Sequence, residues 1–255
     1  MQTALRSRIA PSTAASPAVA ALVANRFDKD AVLVSIPRVE FQVVVRFGSL
    51  ARGGLDVHAF GARDHAHRKL IRGGHRAVTA RLRLGATEAV FGVPACEIAG
   101  RIIPLDELWG DVATRRLCDR LAVAGSMEDA AAIIDSAVGE RIARSNAAAR
   151  PHVALALRAT DRLTSASVSA VASELGVSER HLRRVFLETI GVNPKAFARL
   201  ARFHRALAAA RANRAADWAS IAAATGYYDQ AHLIGEFRAI ADVTPSALLR
   251  ELDAA

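Results

Sequence analysis

Four stretches in the first third of the chain carry apolar residues alternately or in short unbroken runs: AVLVSI (31–36), VEFQVVVRF (39–47), LDVHAF (55–60) and AVTARLRL (77–84). Runs of this length and period predict β-strands. In AVTARLRL the alternation is complete, with Val78, Ala80, Leu82 and Leu84 on one face and Thr79, Arg81 and Arg83 on the other. Glycine pairs at 53–54 and 73–74 predict turns. From Pro104 the period becomes helical, in DVATRRLCDRLAVA (111–124) and SMEDAAAIIDSAVGERIA (126–143). Ser126, with Asp129 three residues on, predicts an N-cap and a first-turn acid for the second of these. RSNAAARP (144–151) breaks the apolar period and ends in proline, which places a linker there, and everything beyond it reads as helix.

That helical half repeats itself. The first copy is VASELGVSERHLRRVFLETIGVNPKAF (171–197) and the second IAAATGYYDQAHLIGEFRAIADVTPSAL (221–248). Val171, Ala172 and Gly176 recur as Ile221, Ala222 and Gly226 at a spacing of 50 (226 minus 176). Leu182, Phe186, Val192 and Pro194 recur as Leu233, Phe237, Val243 and Pro245 at 51 (245 minus 194). The small alanines let two helices approach, and the glycines suit the left-handed conformation that reverses the chain. Ser178 or Asp229 then caps a second helix that turns its Leu and Phe inward. This is the pattern of a helix-turn-helix, present twice. Between the copies, Phe197, Leu200, Phe203 and Leu207 form the apolar stripe of one long helix over 194–214.

On these motifs, residues 152–251 resemble the AraC/XylS-type DNA-binding domain, in which a long helix joins two helix-turn-helix units. FGVPACEIAGRIIPLDELWGD (91–111) and HRKLIRGGHRAVTARLRLGA (67–86) resemble, less specifically, the β-rich sensor domains that accompany it. The resemblance implies an α+β chain: a β-rich N-terminal domain followed by an all-α domain of two helix-turn-helix units. The expected divisions are a low-complexity segment (1–25), a sensor or dimerisation domain (26–104), a helical segment (105–143), the linker (144–151) and the paired helix-turn-helix domain (152–251). It implies a sequence-specific transcriptional regulator that is not an enzyme. Its expected partners are double-stranded operator DNA, a small-molecule effector or a second copy of the chain as a homodimer, and RNA polymerase. No cofactor is expected.

With Leu182 and Phe186 inward, Arg180, Arg183 and Arg184 share the outer face of the first recognition helix, where arginine can bond bidentately to guanine. The resemblance places base-contacting positions on the same three arginines. In the second copy the outward positions are Gln230, Ala231, Ile234, Gly235 and Arg238. Gln230 suits adenine, Ala231 and Ile234 suit a thymine methyl, and the weaker set predicts uneven reading by the two helices. Tyr227, Tyr228 and His232 are explained by packing and phosphate contact rather than by catalysis.

Charge alters this picture less than its sum suggests. The net charge is +9, but residues 151–255 carry 13 Lys/Arg against 10 Asp/Glu, leaving +3 there and +6 in residues 1–150. The informative bias is local: from Thr189 to Ala216 there are six Lys/Arg and no acid, and some of these are expected to meet phosphates. Cys96 and Cys118, without metal or disulfide spacing, read as two buried small apolar residues. No run approaches the roughly 18 apolar residues of a membrane span, and the Ala/Ser/Pro-rich residues 10–25 lack the hydrophobicity of a signal peptide. A cytoplasmic protein, on the nucleoid when bound to DNA, is expected.

His58, His65, His67 and His75 offer a different reading, a metal-dependent cupin-like enzyme fused to the DNA-binding unit. No Glu follows the HxH pair at cupin-like spacing, and Arg63, Arg68, Lys69, Arg72 and Arg76 oppose a cation. Such a cluster suits an anionic effector better.

Overall fold

The structure is a computed structural model describing residues 6–7, 16–48, 54–145, 151–213 and 217–254. Its strands are β1 (Arg6–Ser7), β2 (Val19–Phe27), β3 (Ala31–Ser35), β4 (Gln42–Phe47), β5 (Leu55–Phe60), β6 (His67–Ile71), β7 (His75–Leu82) and β8 (Ile102–Pro104). Its helices are α1 (Thr87–Phe91), α2 (Ala95–Ile98), α3 (Leu105–Trp109), α4 (Asp111–Ala122), α5 (Met127–Ala143) and α6 (Pro151–Arg162), then α7 (Val168–Glu174), α8 (Glu179–Ile190), α9 (Pro194–Ala212), α10 (Trp218–Thr225), α11 (Gln230–Ala241) and α12 (Pro245–Ala254). The architecture is α+β, an N-terminal antiparallel sheet domain followed by a helical C-terminal region.

Six strands form one antiparallel sheet in the order β1-β2-β7-β4-β5-β8, while β3 and β6 form a separate antiparallel pair. One face of the larger sheet, carrying Val43, Val45, Val57, Val78, Ala80 and Leu82, packs in a core with Phe91, Ile98, Leu105 and Ile134 from the helices. The alternation read in AVTARLRL therefore holds through Leu82. Leu84 falls beyond the strand and packs instead against the first helical unit.

Strand β2 corrects the reading of the start of the chain. Residues 19–25, assigned to a low-complexity segment, belong to a strand that pairs with β7 from Val19 to Phe27. Its alanines gave no clear amphipathic pattern, yet Ala18, Ala21 and Ala24 are buried. Ala18, Val19 and Leu22 share the core with Ala130, Ala131, Ile134 and Val138 of α5, where small side chains permit close approach of helix and sheet. The buried Asp135 carboxylate accepts the Ser16 amide at 3.1 and 3.0 Å, fixing the entry to this strand. Two short helices, α1 and α2, also interrupt the segment read as β-rich. Residues 1–5 and 8–15, Gly53 of the first glycine pair, and residues 146–150 of the expected linker lie outside the described residues. Ser126 accepts the Asp129 amide at 3.0 Å, as an N-cap does. Cys118 is half-buried, but Cys96 is exposed, contrary to expectation, because it falls on the outer side of the four-residue helix α2.

The helical region has two cores. Ala156, Ala172, Leu182, Phe186 and Phe197 form the first, and Leu200, Phe203, Leu207, Leu233 and Phe237 the second. Both meet the sheet domain. The Ala66 amide donates to the Ile240 carbonyl at 2.7 Å, and His204 on α9 donates through Nε2 to the Pro37 carbonyl at 2.7 Å. Burial lowers the His204 pKa, which favours the neutral ring that makes this bond. Gly191, at φ 84, ends α8 against Phe41; a Cβ there would lie 2.7 Å from the ring and 3.2 Å from the Ala95 carbonyl. No helix among the described residues is long and apolar enough to cross a membrane.

Gly191→Ala combines left-handed strain with overpacking, and is expected to cost about 2–4 kcal/mol in chemical denaturation. Gly226→Ala meets nothing closer than 3.7 Å, so strain alone, roughly 1–2 kcal/mol, is expected.

Candidate nucleic-acid interface

The two copies of the repeat fold alike for local reasons. In the first, Ser167 caps α7 by accepting the Ala170 amide at 3.2 Å, and Gly176 turns the chain at φ 69. Ser178 then caps α8 through the His181 amide at 3.2 Å. In the second, Asp217 caps α10 through Ser220, Gly226 turns at φ 83, and Asp229 caps α11 through His232 at 2.7 Å. Val171, Ala172, Leu182 and Phe186, like Ile221, Ala222, Leu233 and Phe237, are buried. The Val-x-Pro phrase has a role too: Asn193 and Thr244 cap the next helices, and Pro194 and Pro245 occupy their first turns. The copies end differently. Where α8 closes on Gly191, crowded by Phe41, α11 closes on Asp242 at φ 59.

On α8, Arg180, Arg183 and Arg184 are all exposed, but they are not equivalent. Arg183 pairs with Glu179 at 2.8 Å, and Arg184 pairs with Glu188 and contacts His181, each at 3.2 Å. Arg180 makes no ion pair or side-chain hydrogen bond among the described residues. Exposed pairs four apart contribute only about 0.3–0.5 kcal/mol, so Arg183 and Arg184 are readily drawn to a stronger anion. Arg180 has nothing to release.

On α11, Gln230, Ala231 and Arg238 are exposed. Ile234 is half-buried against the second core, so its side chain is partly committed to packing. Gly235 is exposed, and a Cβ there would meet nothing within 4 Å. Tyr228 is 92% exposed at the turn. Tyr227 is buried, its ring 5.3 Å from the Arg202 guanidinium. Burial and the Glu236 carboxylate push the Tyr227 phenol up, keeping it protonated.

The basic footprint of α9 is smaller than its sequence suggests. Arg199 and Arg202 reach the same Glu236 oxygen on α11 at 3.4 and 3.1 Å. Arg205 donates to the Thr164 carbonyl at 3.0 Å and to that of Thr225 at 3.3 Å, capping chain ends near α6 and α10. Lys195 and Arg211 are exposed, and Arg214 lies outside the described residues. Half of the six cations thus hold the domain together. Glu236, which a sequence reading passes over as a lone acid between apolar positions, is the hub.

In the sheet domain His65 bonds Asp64 at 2.7 Å, and His58 Nδ1 lies 2.9 Å from an Asp56 oxygen without hydrogen-bond geometry. His65, His67 and His75 line a cavity of about 220 Å³ between the two sheets, alongside Arg38, Arg46, Arg63 and Lys69. Among the described residues no three His, Cys, Asp or Glu side chains are grouped to hold a metal ion.

Residues 171–251 match the family model of a helix-turn-helix domain. No curated protein matches the chain in sequence. Among solved structures, a Chromobacterium violaceum transcriptional regulator with an AraC-type DNA-binding domain is similar over 37% of this chain and 88% of its own, at 22% identity and a TM-score of 0.34. ToxT from Vibrio cholerae O395 aligns with 92% of this chain and 98% of its own, at 11% identity and a TM-score of 0.44. An unsaturated-fatty-acid-bound ToxT from strain SCE256 aligns over 92% and 96%, at 11% identity and 0.46.

Gly235→Ala is expected to raise stability by about 0.5–1 kcal/mol, the helix-propensity difference, without loss to packing. Glu236→Ala, which strands two guanidiniums, is expected to lower it by about 2–3 kcal/mol. Both are measured by guanidinium unfolding.

Proposed function

We propose that this chain, whose residues 171–251 match a helix-turn-helix domain, is an AraC-type regulator that binds operator DNA sequence-specifically and controls transcription. The carrying observation is the outer face of α8, where Arg180 has no internal partner among the described residues and stands beside two arginines held only by exposed pairs. A capped helix following a glycine turn can enter the major groove with such side chains aimed at base edges. Arg180 reads a base; Arg183 and Arg184 exchange their carboxylates for a base or a phosphate. Helix α11 makes the weaker contact through Gln230, Ala231, Arg238 and the outer part of Ile234, while Lys195 and Arg211 meet phosphates. RNA polymerase is the downstream partner, and the cytoplasm is the compartment.

The N-terminal half controls this activity through an effector. A cavity between two sheets, with Arg38, Arg46, Arg63 and Lys69 set among apolar walls and joined to the helical region by direct hydrogen bonds, favours that role over dimerisation alone. Its cationic lining disfavours the metal-enzyme reading.

Fluorescence anisotropy with DNA from the promoter region of the chain's own gene tests the interface. Arg180→Ala is expected to weaken specific binding by about 1–3 kcal/mol while sparing nonspecific binding. Arg183→Ala and Arg184→Ala are expected to weaken both, because each leaves a carboxylate facing the phosphates. Lys195→Ala is expected to weaken both and to lower the salt slope by about one. An Arg180→Ala protein that still discriminated between specific and nonspecific DNA like the parent would refute the base assignment.

A further inference from the structure

Strand β6 has two functional faces. The alternate residues His67, Lys69 and Ile71 line the cavity, while Arg68, between them, points to the second helix-turn-helix unit. Arg68 donates to the Ala241 carbonyl at the end of α11 at 2.8 Å, and to the Glu251 carboxylate on α12 at 2.9 Å. The Ala66 amide, just before the strand, holds the neighbouring Ile240 carbonyl. One short strand thus roofs the cavity and grips the last turn of a recognition helix.

The cavity itself is built for an anion with an apolar body. The Arg46 and Arg63 guanidiniums both lie over the Phe60 ring, at 5.4 and 5.2 Å from its centre. Asp56, at 3.1 Å, offsets Arg46, but neither Arg63 nor Lys69 forms a salt bridge among the described residues. The pKa values of Arg63, Lys69 and His75 are lowered by burial and then by Arg46, a sign of positive charge left uncompensated. Around these groups the walls are Leu33, Val44, Phe60, Ile71 and Ala77. A guanidinium binds a carboxylate bidentately, and the neighbouring ammonium adds charge. The volume of about 220 Å³ is below that of sites for drug-sized ligands. At ~30 Å³ per water this is room for about seven non-hydrogen atoms. An adjoining cleft shares Arg46, Lys69, Ile71 and His75 with it.

We propose that this cavity binds a small organic carboxylate, its head group on Arg46, Arg63 and Lys69 and its apolar body against Val44, Phe60 and Ile71. We further assign β6 as the element that transmits occupancy to α11 through Arg68. The transmission rests on the reading of the chain as a DNA-binding regulator; the binding does not.

Calorimetry on the full chain separates the two. The probes are the straight-chain carboxylates from butanoate to octanoate, the matching neutral amides, and inorganic phosphate. Saturable binding of a carboxylate, one molecule per chain, is expected, with the amide weaker by about tenfold or more. Arg63→Met and Lys69→Met are each expected to reduce it by a similar factor. Equal binding of acid and amide, equally tight phosphate, or no saturable binding at all would overturn the site. In the anisotropy assay the bound carboxylate is expected to change DNA affinity by about fivefold or more. Arg68→Ala is expected to bind both the carboxylate and DNA yet lose that change, and retention of the full change would overturn the transmission. Failure of the ligand-free chain to bind any DNA would refute the regulator reading while leaving the calorimetric result intact.

Discussion

Helix α9 has to serve two hydrophobic cores with one continuous apolar stripe. Phe197, near its start, belongs to the first helix-turn-helix unit, while Leu200, Phe203, Ala206, Leu207 and Ala210 belong to the second. Because the stripe is rigid over the length of the helix, the separation of the two units is set by its spacing. The flanks of the helix reinforce this. Arg199 and Arg202 converge on Glu236 of α11, and Arg205 bonds the Thr164 carbonyl just past α6 and the Thr225 carbonyl at the end of α10. Three cations that the sequence offers to phosphates are engaged instead in holding one recognition helix at a fixed place relative to the other.

This division of labour explains why the two recognition helices differ. Helix α8 carries an arginine with no internal partner among the described residues and two whose pairs are exposed and weak. Helix α11 presents short or uncharged side chains, and its flank is bound inward through Glu236. Its C-terminal carbonyls are held by Ala66 and Arg68. The first unit is therefore suited to direct reading of base edges, and the second to a position set from inside the molecule.

The sheet domain touches both units, by different means. At Gly191 the contact is steric, a left-handed residue against the Phe41 ring with no room for a side chain. At β6 it is polar, a set of hydrogen bonds to the end of α11. A close-packed contact resists change, whereas hydrogen bonds from a two-stranded sheet can be exchanged at smaller cost. The softer contact is also the one backed by the charged cavity.

The sequence by itself determined the features that depend on neighbours a few residues apart. These are the paired helix-turn-helix with its glycine turns and Ser or Asp caps, the α9 stripe, the N-cap of α5, and the strands with clear alternation. Each is a local pattern of period and capping. Tertiary structure decided what depends on distant partners. Strand β2 exists because alanines without a pattern of their own pack on α5 and pair with β7. Arg202 is structural because Glu236, 34 positions away, is beside it. Arg68 grips a carbonyl 173 positions away, and Gly191, unlike Asp242, must be glycine because Phe41 lies against it. Which arginines are free and where a cavity forms are questions of what else lies nearby, and a linear pattern of apolar and polar residues carries no record of that.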